Sequence, residues 1–370
     1  MSATPLEAAS APPTLVCKQP LPFRLGYRPS LDGMRGFAVS VVIAHHAFLP
    51  FFPGGKVGVD IFFVLSGFLI TSLLIEEGRK TGEINLTKFY TRRVLRLIPA
   101  LVVLLLFVQC YSLIFLRGTS FWRTERAIAA VIFYCANWVR AYQLGGLSHL
   151  GHAWSLSIEE QFYVVWPFLF RLLIRARRSE RSIVALLAVA ILAVWLRRIS
   201  LWHGIASGDR IYFGGDTRSD ELLAGCVLAV WLHMNAFPWR RVEQMVGYFL
   251  IPACLVIAGL VVHPPPMGIM YTLGWPCVEL AVGTVLLSLV VTDGGIFRKM
   301  LEARPVVWTG KLSYGLYLWH FPILAKVLEW KFLGGFERLV GLVLSFAVAA
   351  ASYYFVELRF LRRKRQFAAV

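Results

Sequence analysis

The sequence contains few charged residues for its length. Asp, Glu, Lys and Arg make up 16% of the 370 residues, whereas 58% are hydrophobic, and the mean hydropathy is +0.64. This excess of apolar residues excludes an ordinary water-soluble domain. The apolar residues occur in long runs that approach or exceed the length needed to cross a hydrocarbon core of about 30 Å. The sequence therefore predicts an all-α polytopic membrane protein.

Cysteine pairs with C-x-x-C spacing are also missing. The six cysteines, most of them in apolar runs, are Cys17, Cys110, Cys135, Cys226, Cys254 and Cys277. Such cysteines are typical of small buried hydrophobic residues, not of a disulfide framework or a zinc site. His149 and His152 lie in a glycine-rich loop without a nearby cysteine. We therefore expect no bound metal.

The two ends of the chain carry no apolar run. Residues 1–26 are rich in Pro, Ala and Ser and lack the h-region of a signal peptide, so we expect a disordered tail. The membrane domain is expected at 27–361, followed by a basic tail at 362–370. Lys and Arg number 38 against 21 Asp and Glu. They lie mostly in short loops, as the positive-inside rule predicts, so nucleic-acid binding is not expected.

The apolar runs predict about ten transmembrane helices. They lie near 37–52, 57–76, 97–116, 154–174, 182–202, 219–234, 246–262, 269–291, 312–330 and 339–357. A further stretch, 127–139, is short for a span. If it does not cross, nearly every basic cluster falls on one side, except for Arg117, Arg123, Arg126, Arg197 and Arg198. This charge distribution predicts that both termini are cytoplasmic and that 127–139 is interfacial or re-entrant.

The first run, RGFAVSVVIAHH, begins at Arg35 and ends at His46. In a helix, eleven residues make about three turns, so these two side chains would share one face, roughly 16 Å apart along the axis. An ionisable residue inside a membrane costs about 2.5–3.5 kcal/mol or more. Arg35 and His46 are therefore candidates for function.

Three more ionisable residues fall at the predicted outer ends of helices. They are Asp60 in GVDIFFVLSGFLIT, and His152 and Glu159 in HAWSLSIEEQFY. With His46 they could line one outward-facing cavity, because histidine with a carboxylate is the usual general-base arrangement. Taken singly, each has a plainer explanation. His46 could be an interfacial histidine, His152 a solvated loop residue, and the two carboxylates could serve helix N-termini.

Two further motifs combine polar and apolar residues. TRRVLRLIP places Arg92, Arg93 and Arg96 at the start of a span, either as cytoplasmic anchors or as a clamp for phosphate. KLSYGLYLWHFPIL places Ser313, Tyr317 and His320 on one helical face. These side chains could contact a ligand or hydrogen-bond within the core.

Together these stretches resemble the acyltransferase family 3 of integral membrane acyltransferases. That family includes bacterial O-antigen and exopolysaccharide O-acetylases and nodulation-factor acetylases. The resemblance covers about residues 27–361. It rests on six motifs in the order of the family: LDGMRGFAVSVVIAHHAF, GVDIFFVLSGFLIT, FYTRRVLRLIPA, HAWSLSIEEQFYVVWP, DTRSDELLAGC and LSYGLYLWHFP.

The resemblance implies a ten-helix acyltransferase domain and assigns motif positions. The matching residues are Arg35 and His46 for the paired arginine and histidine, Arg93 and Arg96 for R-x-x-R, Trp154, Ser155 and Glu159 for W-S-x-x-x-E, and Tyr317 and His320 in the last motif. Glu357-Leu358-Arg359 departs from the Glu-Lys-Pro or Glu-Arg-Pro of the family. Many relatives carry an SGNH-type hydrolase domain after the helices. None is expected in this sequence, which ends at Val370.

The resemblance and the motifs together predict a membrane O-acyltransferase of a bacterial inner membrane. It would move an acyl group, in the first instance acetyl, from cytoplasmic acyl-CoA to a hydroxyl of a cell-surface or exported carbohydrate or glycolipid. The catalytic candidates are His46, Glu159, Asp60 and Arg35. The candidates for binding acyl-CoA are Arg93, Arg96, Tyr317 and His320. The candidates for binding the acceptor are Trp154, Ser155, His152 and Arg218.

Three alternatives remain open at this stage. The acceptor could be a small molecule or a lipid. The acyl group could pass directly to the acceptor or through His46 itself. The chain could also be a transporter of a lipid-linked sugar or a small acid, although a transporter needs no CoA clamp and many show internal repeats, which this sequence does not.

Overall fold

The structure, a computed structural model, describes residues 23–204, 207–234, 238–330 and 334–364, which contain helices and no β-strand. Residues 1–22 and 365–370, which make up most of the two predicted tails, lie outside the described residues. In chain order the α-helices are α1 Pro29–Ala47, α2 Val57–Thr81, α3 Leu86–Phe115, α4 Gly118–Ile132, α5 Ala136–Ala141, α6 Trp154–Arg175, α7 Glu180–His203, α8 Gly208–Phe213, α9 Ser219–Leu232, α10 Trp239–Val262, α11 Met267–Ile269, α12 Trp275–Val291, α13 Ile296–Leu301, α14 Arg304–Lys311, α15 Ser313–Val327, α16 Glu337–Ala351 and α17 Leu358–Lys364.

Short segments of other helix types join some of these helices. Two 3₁₀ segments, Ser148–Ala153 and Gly215–Thr217, precede α6 and α9. Two π-helical segments, Met270–Gly274 and Ser352–Glu357, lead into α12 and α17. The first 3₁₀ segment matters most for the site, because it carries His152.

Among the described residues, six helices are long and apolar enough to cross a membrane. They are Val57–Thr81, Leu86–Phe115, Glu180–His203, Trp239–Val262, Met267–Val291 and Glu337–Arg363. The prediction of an all-α, multi-pass integral membrane protein is confirmed. The count of about ten spans, which includes the more polar helices α1 and α6, stays a prediction.

The stretch 127–139 does not form one helix. α4 ends at Ile132 and α5 begins at Ala136, and Tyr134 between them has a φ of 50°. A left-handed residue other than glycine is uncommon and interrupts helical hydrogen bonding. This part of the chain is therefore a broken helix, too short on either side of the break to span the bilayer by itself.

Helix α2 lies at the centre of the bundle. Of its most apolar window, 83% is buried, against 17% for α7, 22% for α10 and 28% for α3. The apolar surfaces of the last three therefore face lipid. α2 packs closely along α9, where a Cβ on Gly67 or Gly225 would overlap a backbone carbonyl of the opposite helix. Small residues allow this close approach of membrane helices.

The predicted helix that carries Arg35 and His46 is confirmed as α1. It ends at Ala47, so the predicted run 37–52 continues beyond the helix into the turn that leads to α2. Arg35 lies near the start of α1, together with the end of α2 and the start of α3, and we call this the arginine end. His46 lies at the other end of α1, close to the start of α6, and we call this the histidine end.

Candidate active site

A cavity of about 990 Å³ extends from the arginine end toward the histidine end. This volume is at the upper limit of the roughly 300–1,000 Å³ typical of small-molecule sites. Its walls carry more basic than acidic residues, so it favours an anion. The basic residues are Arg24, Arg28, Arg35, Arg79, Lys80, Arg92, Arg93 and Arg96, and the acidic residues are Asp32, Glu76, Glu77, Glu159 and Glu160.

Two of the cavity arginines, Arg92 and Arg93, are paired with carboxylates that also line the cavity. Arg93 donates two hydrogen bonds to Glu160 Oε1, at 3.1 and 2.7 Å, and its guanidinium lies 3.0 Å from the ring centroid of Tyr163. Arg92 donates to Glu77 at 2.8 Å. A bidentate arginine–carboxylate pair is geometrically specific and leaves less positive charge for a ligand. The R-x-x-R motif therefore contributes one partly neutralised arginine, Arg93, to the cavity.

Arg35 and Arg96 differ from this pair. In the described ranges neither forms a hydrogen bond or an ion pair, and Nε of Arg35 is buried without a partner. The positive charges of Arg35 and Arg93 both act on Arg96. A buried donor without an acceptor is costly, and clustered cations repel each other. A bound phosphate would relieve both effects, so Arg35 and Arg96 are the strongest anion-binding candidates in the cavity.

Two hydroxyl groups and a carboxylate line the far part of the cavity. Ser66 donates to Glu159 Oε1 at 2.5 Å, and Tyr163 donates to the same oxygen at 3.3 Å. Beyond them, the hydroxyls of Ser155 and Tyr317 are 2.5 Å apart. Glu159 therefore faces the cavity and is held by hydroxyl donors, while Ser155 and Tyr317 close its far end.

Three histidines from three elements meet behind Tyr317. Nδ1 of His46 lies 3.3 Å from Nε2 of His320. The ring of His152 packs 5.5 Å from that of His320 and 5.4 Å from that of Tyr317. Tyr317 also donates to the backbone carbonyl of His152 at 2.9 Å. Tyr317 is therefore the side chain that links the cavity to the three histidines, which we call the histidine cluster.

Backbone carbonyls determine which nitrogens in this cluster carry hydrogen. Nδ1 of His46 is 2.9 Å from the carbonyl of Val42, and Nδ1 of His320 is 2.9 Å from that of Leu316. A carbonyl only accepts, so both Nδ1 atoms donate in the neutral rings. The single hydrogen on Nδ1 of His46 is then shared between the carbonyl of Val42 and, at the longer distance, Nε2 of His320. Nε2 of His46 retains a free lone pair. His46 is only partly buried, so this nitrogen can act as a base.

We expect His320→Ala to lower the turnover number by up to about 10²–10⁴-fold, the contribution of a positioned general base. Without Nε2 of His320, the His46 ring loses an acceptor that orients it and stabilises its protonated form. His320→Gln keeps an acceptor and should recover part of the rate, with the KM for the acyl donor unchanged. Steady-state acetyl transfer by both variants checks this. Equal rates for the two variants would contradict the acceptor role.

Asp60 lies away from the histidine cluster. It forms a buried ion pair with Arg218, which also donates to Glu221 at 3.0 Å. Arg218 is 0% exposed, and its guanidinium lies 4.3 Å from the ring centroid of Trp275 and 5.5 Å from that of Trp154. Asp60 therefore neither touches His46 nor caps α2. Arg218 and Trp154 pack in the interior, away from the cavity walls.

We expect Asp60→Asn to lower stability and not the chemical step. Removing one partner of a buried ion pair typically costs about 3–5 kcal/mol, because the remaining charge stays buried. Thermal unfolding in detergent should show a clearly lower Tm, with a near-normal rate per folded molecule. Asp293→Asn is the control, because the Asp293 carboxylate is 98% exposed and its pair with Arg298 contributes little. A normal Tm with a lost rate would instead make Asp60 catalytic.

The predicted site residues thus fall into three groups. One group meets at the histidine end and consists of His46, His152, His320 and Tyr317. A second group lines the cavity, together with Tyr317, and consists of Arg35, Arg93, Arg96, Ser155 and Glu159. The third group packs elsewhere and consists of Asp60, Trp154 and Arg218. The sequence motifs give no prediction for Ser66, Glu160, Tyr163 or Phe321. Phe321 packs 5.2 Å from His46 and directly follows His320 in the chain, which is the one local signal for it.

No group of three or more His, Cys, Asp or Glu residues in the described part of the chain is arranged to hold a metal ion. The three histidines contact one another through ring faces and one nitrogen pair. The chemistry available here is proton transfer by histidine and hydrogen bonding by hydroxyls and guanidinium groups.

Known proteins with similar sequences are O-acetyltransferases by name. The chain is similar to "O-acetyltransferase OatA" of Staphylococcus aureus, with 35% identity over 345 residues, covering 90% of this chain and 57% of that protein. It is also 34% identical to "Peptidoglycan O-acetyltransferase OatA" of Listeria monocytogenes over 356 residues, covering 90% of this chain and 55% of that protein. The chain therefore spans a little over half the length of these relatives. No solved structure matches it.

The family comparison covers nearly the whole membrane region. The model of the acyltransferase domain family matches residues 28–357, which include every helix from α1 to α16 and the cavity between them. The match contains both the arginine end and the histidine cluster. On this match, the chain belongs to the membrane acyltransferase 3 family.

Proposed function

We propose that this chain is a membrane O-acetyltransferase that takes an acetyl group from acetyl-CoA and transfers it to a hydroxyl of a cell-surface carbohydrate. Its relatives are O-acetyltransferases by name, one of them acting on peptidoglycan. The observation that carries the proposal is the cationic cavity that ends at Tyr317, in contact with the histidine cluster. Such a cavity suits a long ligand with phosphates at one end and a reactive group at the other.

The donor would enter from the arginine end, which would face the cytoplasm if the basic loops follow the positive-inside rule. Arg35 and Arg96, which form no hydrogen bond or ion pair within the described ranges, would bind the phosphates of CoA, with Arg93 beside them. The pantetheine arm would follow α1 toward His46, a distance of roughly 16 Å along the helix axis. The acetyl thioester would then reach the hydroxyls of Ser155 and Tyr317.

The transfer itself needs a base and hydrogen-bond donors. Nε2 of His46 would take the proton from the acceptor hydroxyl as that oxygen attacks the thioester carbonyl. The new C–O bond forms, the C–S bond breaks, and the proton passes from His46 to the departing CoA thiolate. Ser155 would donate to the developing oxyanion, and Tyr317 would do so once its hydroxyl turns away from the carbonyl of His152. Side-chain rotation of Tyr317 would connect the cavity to His46. A two-step route through an acetylated His46 uses the same residues.

The test uses the purified full chain and acetyl-CoA labelled in its acetyl group. We expect the protein to bind acetyl-CoA and to hydrolyse it slowly to acetate and CoA. Transfer of the labelled acetyl group to a carbohydrate acceptor should be faster than this hydrolysis. His46→Ala should bind the donor without turning it over, and His203→Ala, which changes an exposed histidine on α7, is the matched control. Absence of both binding and turnover in the wild-type protein would overturn the proposal and favour a transporter.

A further inference from the structure

Five arginines depart from the charge distribution that the positive-inside rule predicts, and the acyl-transfer steps proposed above do not use them. They are Arg117, Arg123, Arg126, Arg197 and Arg198. An arginine within a membrane protein is costly unless an acceptor meets its charge. The structure shows which of the five find such an acceptor within the protein.

Three of these arginines are engaged by acceptors. Arg117 donates to two backbone carbonyls at the end of α3, at 3.0 and 2.7 Å. Arg197 pairs with Asp216 at 3.5 Å, and the buried Arg198 pairs with Asp220 at 2.6 Å. The protein itself therefore supplies acceptors for these three guanidinium groups.

The other two arginines, Arg123 and Arg126, lie on α4, and both are exposed. Nε of Arg126 donates to the backbone carbonyl of Trp122 at 3.3 Å. In the part of the chain that the structure describes, neither guanidinium pairs with a carboxylate. Arg123 and Arg126 therefore present two positive charges at the surface of α4.

Helix α4 turns back along α3, so its arginines lie beside a membrane-spanning helix. Glu125 of α4 accepts from Gln109 at 3.0 Å and from Ser112 at 2.9 Å, both on α3. Gln109 lies six residues before the end of α3 at Phe115, about 9 Å along the axis. The same pairing directs the Glu125 carboxylate toward α3. The membrane therefore surrounds the opposite side of α4.

The exposed side of α4 has the composition of a membrane interface. Trp122 is 64% exposed, and helical spacing places it on the same face as Arg126. Farther along the chain, Phe133 is 78% exposed, as a side chain that faces lipid tails would be. Tryptophan is typical of the headgroup level, and an arginine below that level extends its guanidinium toward the headgroups.

We propose that Trp122, Arg123 and Arg126 form a binding site for the headgroup phosphate of an anionic phospholipid. Both guanidinium groups can donate charge-assisted hydrogen bonds to phosphate oxygens, and the indole N–H of Trp122 is a further donor at the same level. With two positive charges and no paired carboxylate, the site favours phosphatidylglycerol over the zwitterionic phosphatidylcholine. This site lies outside the cavity and does not depend on the proposed function.

The experiment identifies the lipid next to α4 by fluorescence quenching. The full chain is placed in liposomes of phosphatidylcholine and phosphatidylglycerol, in which one lipid at a time carries bromine near the headgroup end of its acyl chains. The signal of Trp122 is the difference between each protein and the same protein with Trp122→Phe. The variants are Arg123→Gln with Arg126→Gln, the matching double lysine variant, and Arg241→Gln as the control, which changes an exposed arginine on α10.

We expect brominated phosphatidylglycerol to quench Trp122 preferentially in the wild-type protein, with a relative affinity of about fivefold for each arginine. The double glutamine variant should lose this preference. The double lysine variant should keep part of it, because the charges remain but the paired donors of the guanidinium are lost. Arg241→Gln should keep all of it. An unchanged Tm in detergent would show that each variant is folded.

Three results would overturn the inference. The first is equal quenching of wild-type Trp122 by the two brominated lipids. The second is a preference for phosphatidylglycerol that persists in the double glutamine variant. The third is an absence of quenching by either lipid, which would mean that protein, such as a second copy of the chain, covers this face of α4. None of these measurements uses acetyl-CoA, so a failure of the proposed function is distinct from all three.

Discussion

Replacing His46 with alanine is expected to lower the turnover number for acetyl transfer by about 10²–10⁴-fold, the usual contribution of a positioned general base. The affinity for acetyl-CoA should stay within about twofold of wild type, because His46 does not line the cavity. The free lone pair on Nε2 of His46 exists because the carbonyl of Val42 holds the hydrogen on Nδ1. Turnover of labelled acetyl-CoA and calorimetric binding would measure the two effects separately.

The matched control is His203→Ala, which should leave both quantities unchanged. A His46→Ala variant that also loses donor binding would show that His46 contributes to the donor site. A variant that retains full turnover would remove His46 from the mechanism. If the acetyl group passes through His46, the wild-type protein incubated with labelled acetyl-CoA and no acceptor should retain acid-labile label, and His46→Ala should not.

The second large effect is expected for the unpaired arginines. Arg35→Gln and Arg96→Gln should each weaken acetyl-CoA binding by about 10–100-fold, because each removes a charge-assisted hydrogen bond to phosphate worth about 1.5–3 kcal/mol. The effect should appear mainly in KM, since these side chains lie at the arginine end, away from the histidine cluster. Binding of CoA and of dephospho-CoA, measured by calorimetry, would also show which phosphate each arginine contacts.

Two further variants test whether the loss of CoA affinity is specific to the unpaired arginines of the cavity. Arg241→Gln changes an exposed arginine outside the cavity and should bind CoA normally. Arg93→Gln should lose less affinity than Arg96→Gln, because Glu160 already occupies Arg93, but it should lower Tm by leaving Glu160 without its partner. Equal losses of affinity at Arg93 and Arg96 would contradict the distinction between paired and unpaired arginines.

Part of this site was accessible from the sequence because it is local. The eleven-residue spacing of Arg35 and His46 required only a continuous helix, and α1 provides one. The four-residue spacing of Ser155 and Glu159 likewise places both on the cavity side of α6. In such cases helical periodicity alone determines which face a side chain shares.

Other parts were not accessible because they depend on partners distant in the chain. The sequence predicts Asp60 as a carboxylate beside an outer histidine, but the structure pairs it with Arg218, 158 residues away. The sequence predicts that His320 contacts the acyl donor, but in the structure its ring lies against His46, 274 residues away. Arg93 and Arg96 belong to one short motif, but only Arg93 pairs with Glu160, so the charges of the two arginines are neutralised to different extents.

The sequence by itself determined that the chain is helical, lies in the membrane and belongs to an acyltransferase family, because hydropathy, loop charge and ordered motifs are properties of the chain. The tertiary structure alone decided which charges are neutralised and which remain free. Apolar helices in lipid pack by shape and by small residues such as Gly67 and Gly225, which hydropathy does not encode. That packing brings His320 to His46 and leaves Arg35 and Arg96 unpaired, and so creates a cavity that suits an anionic donor.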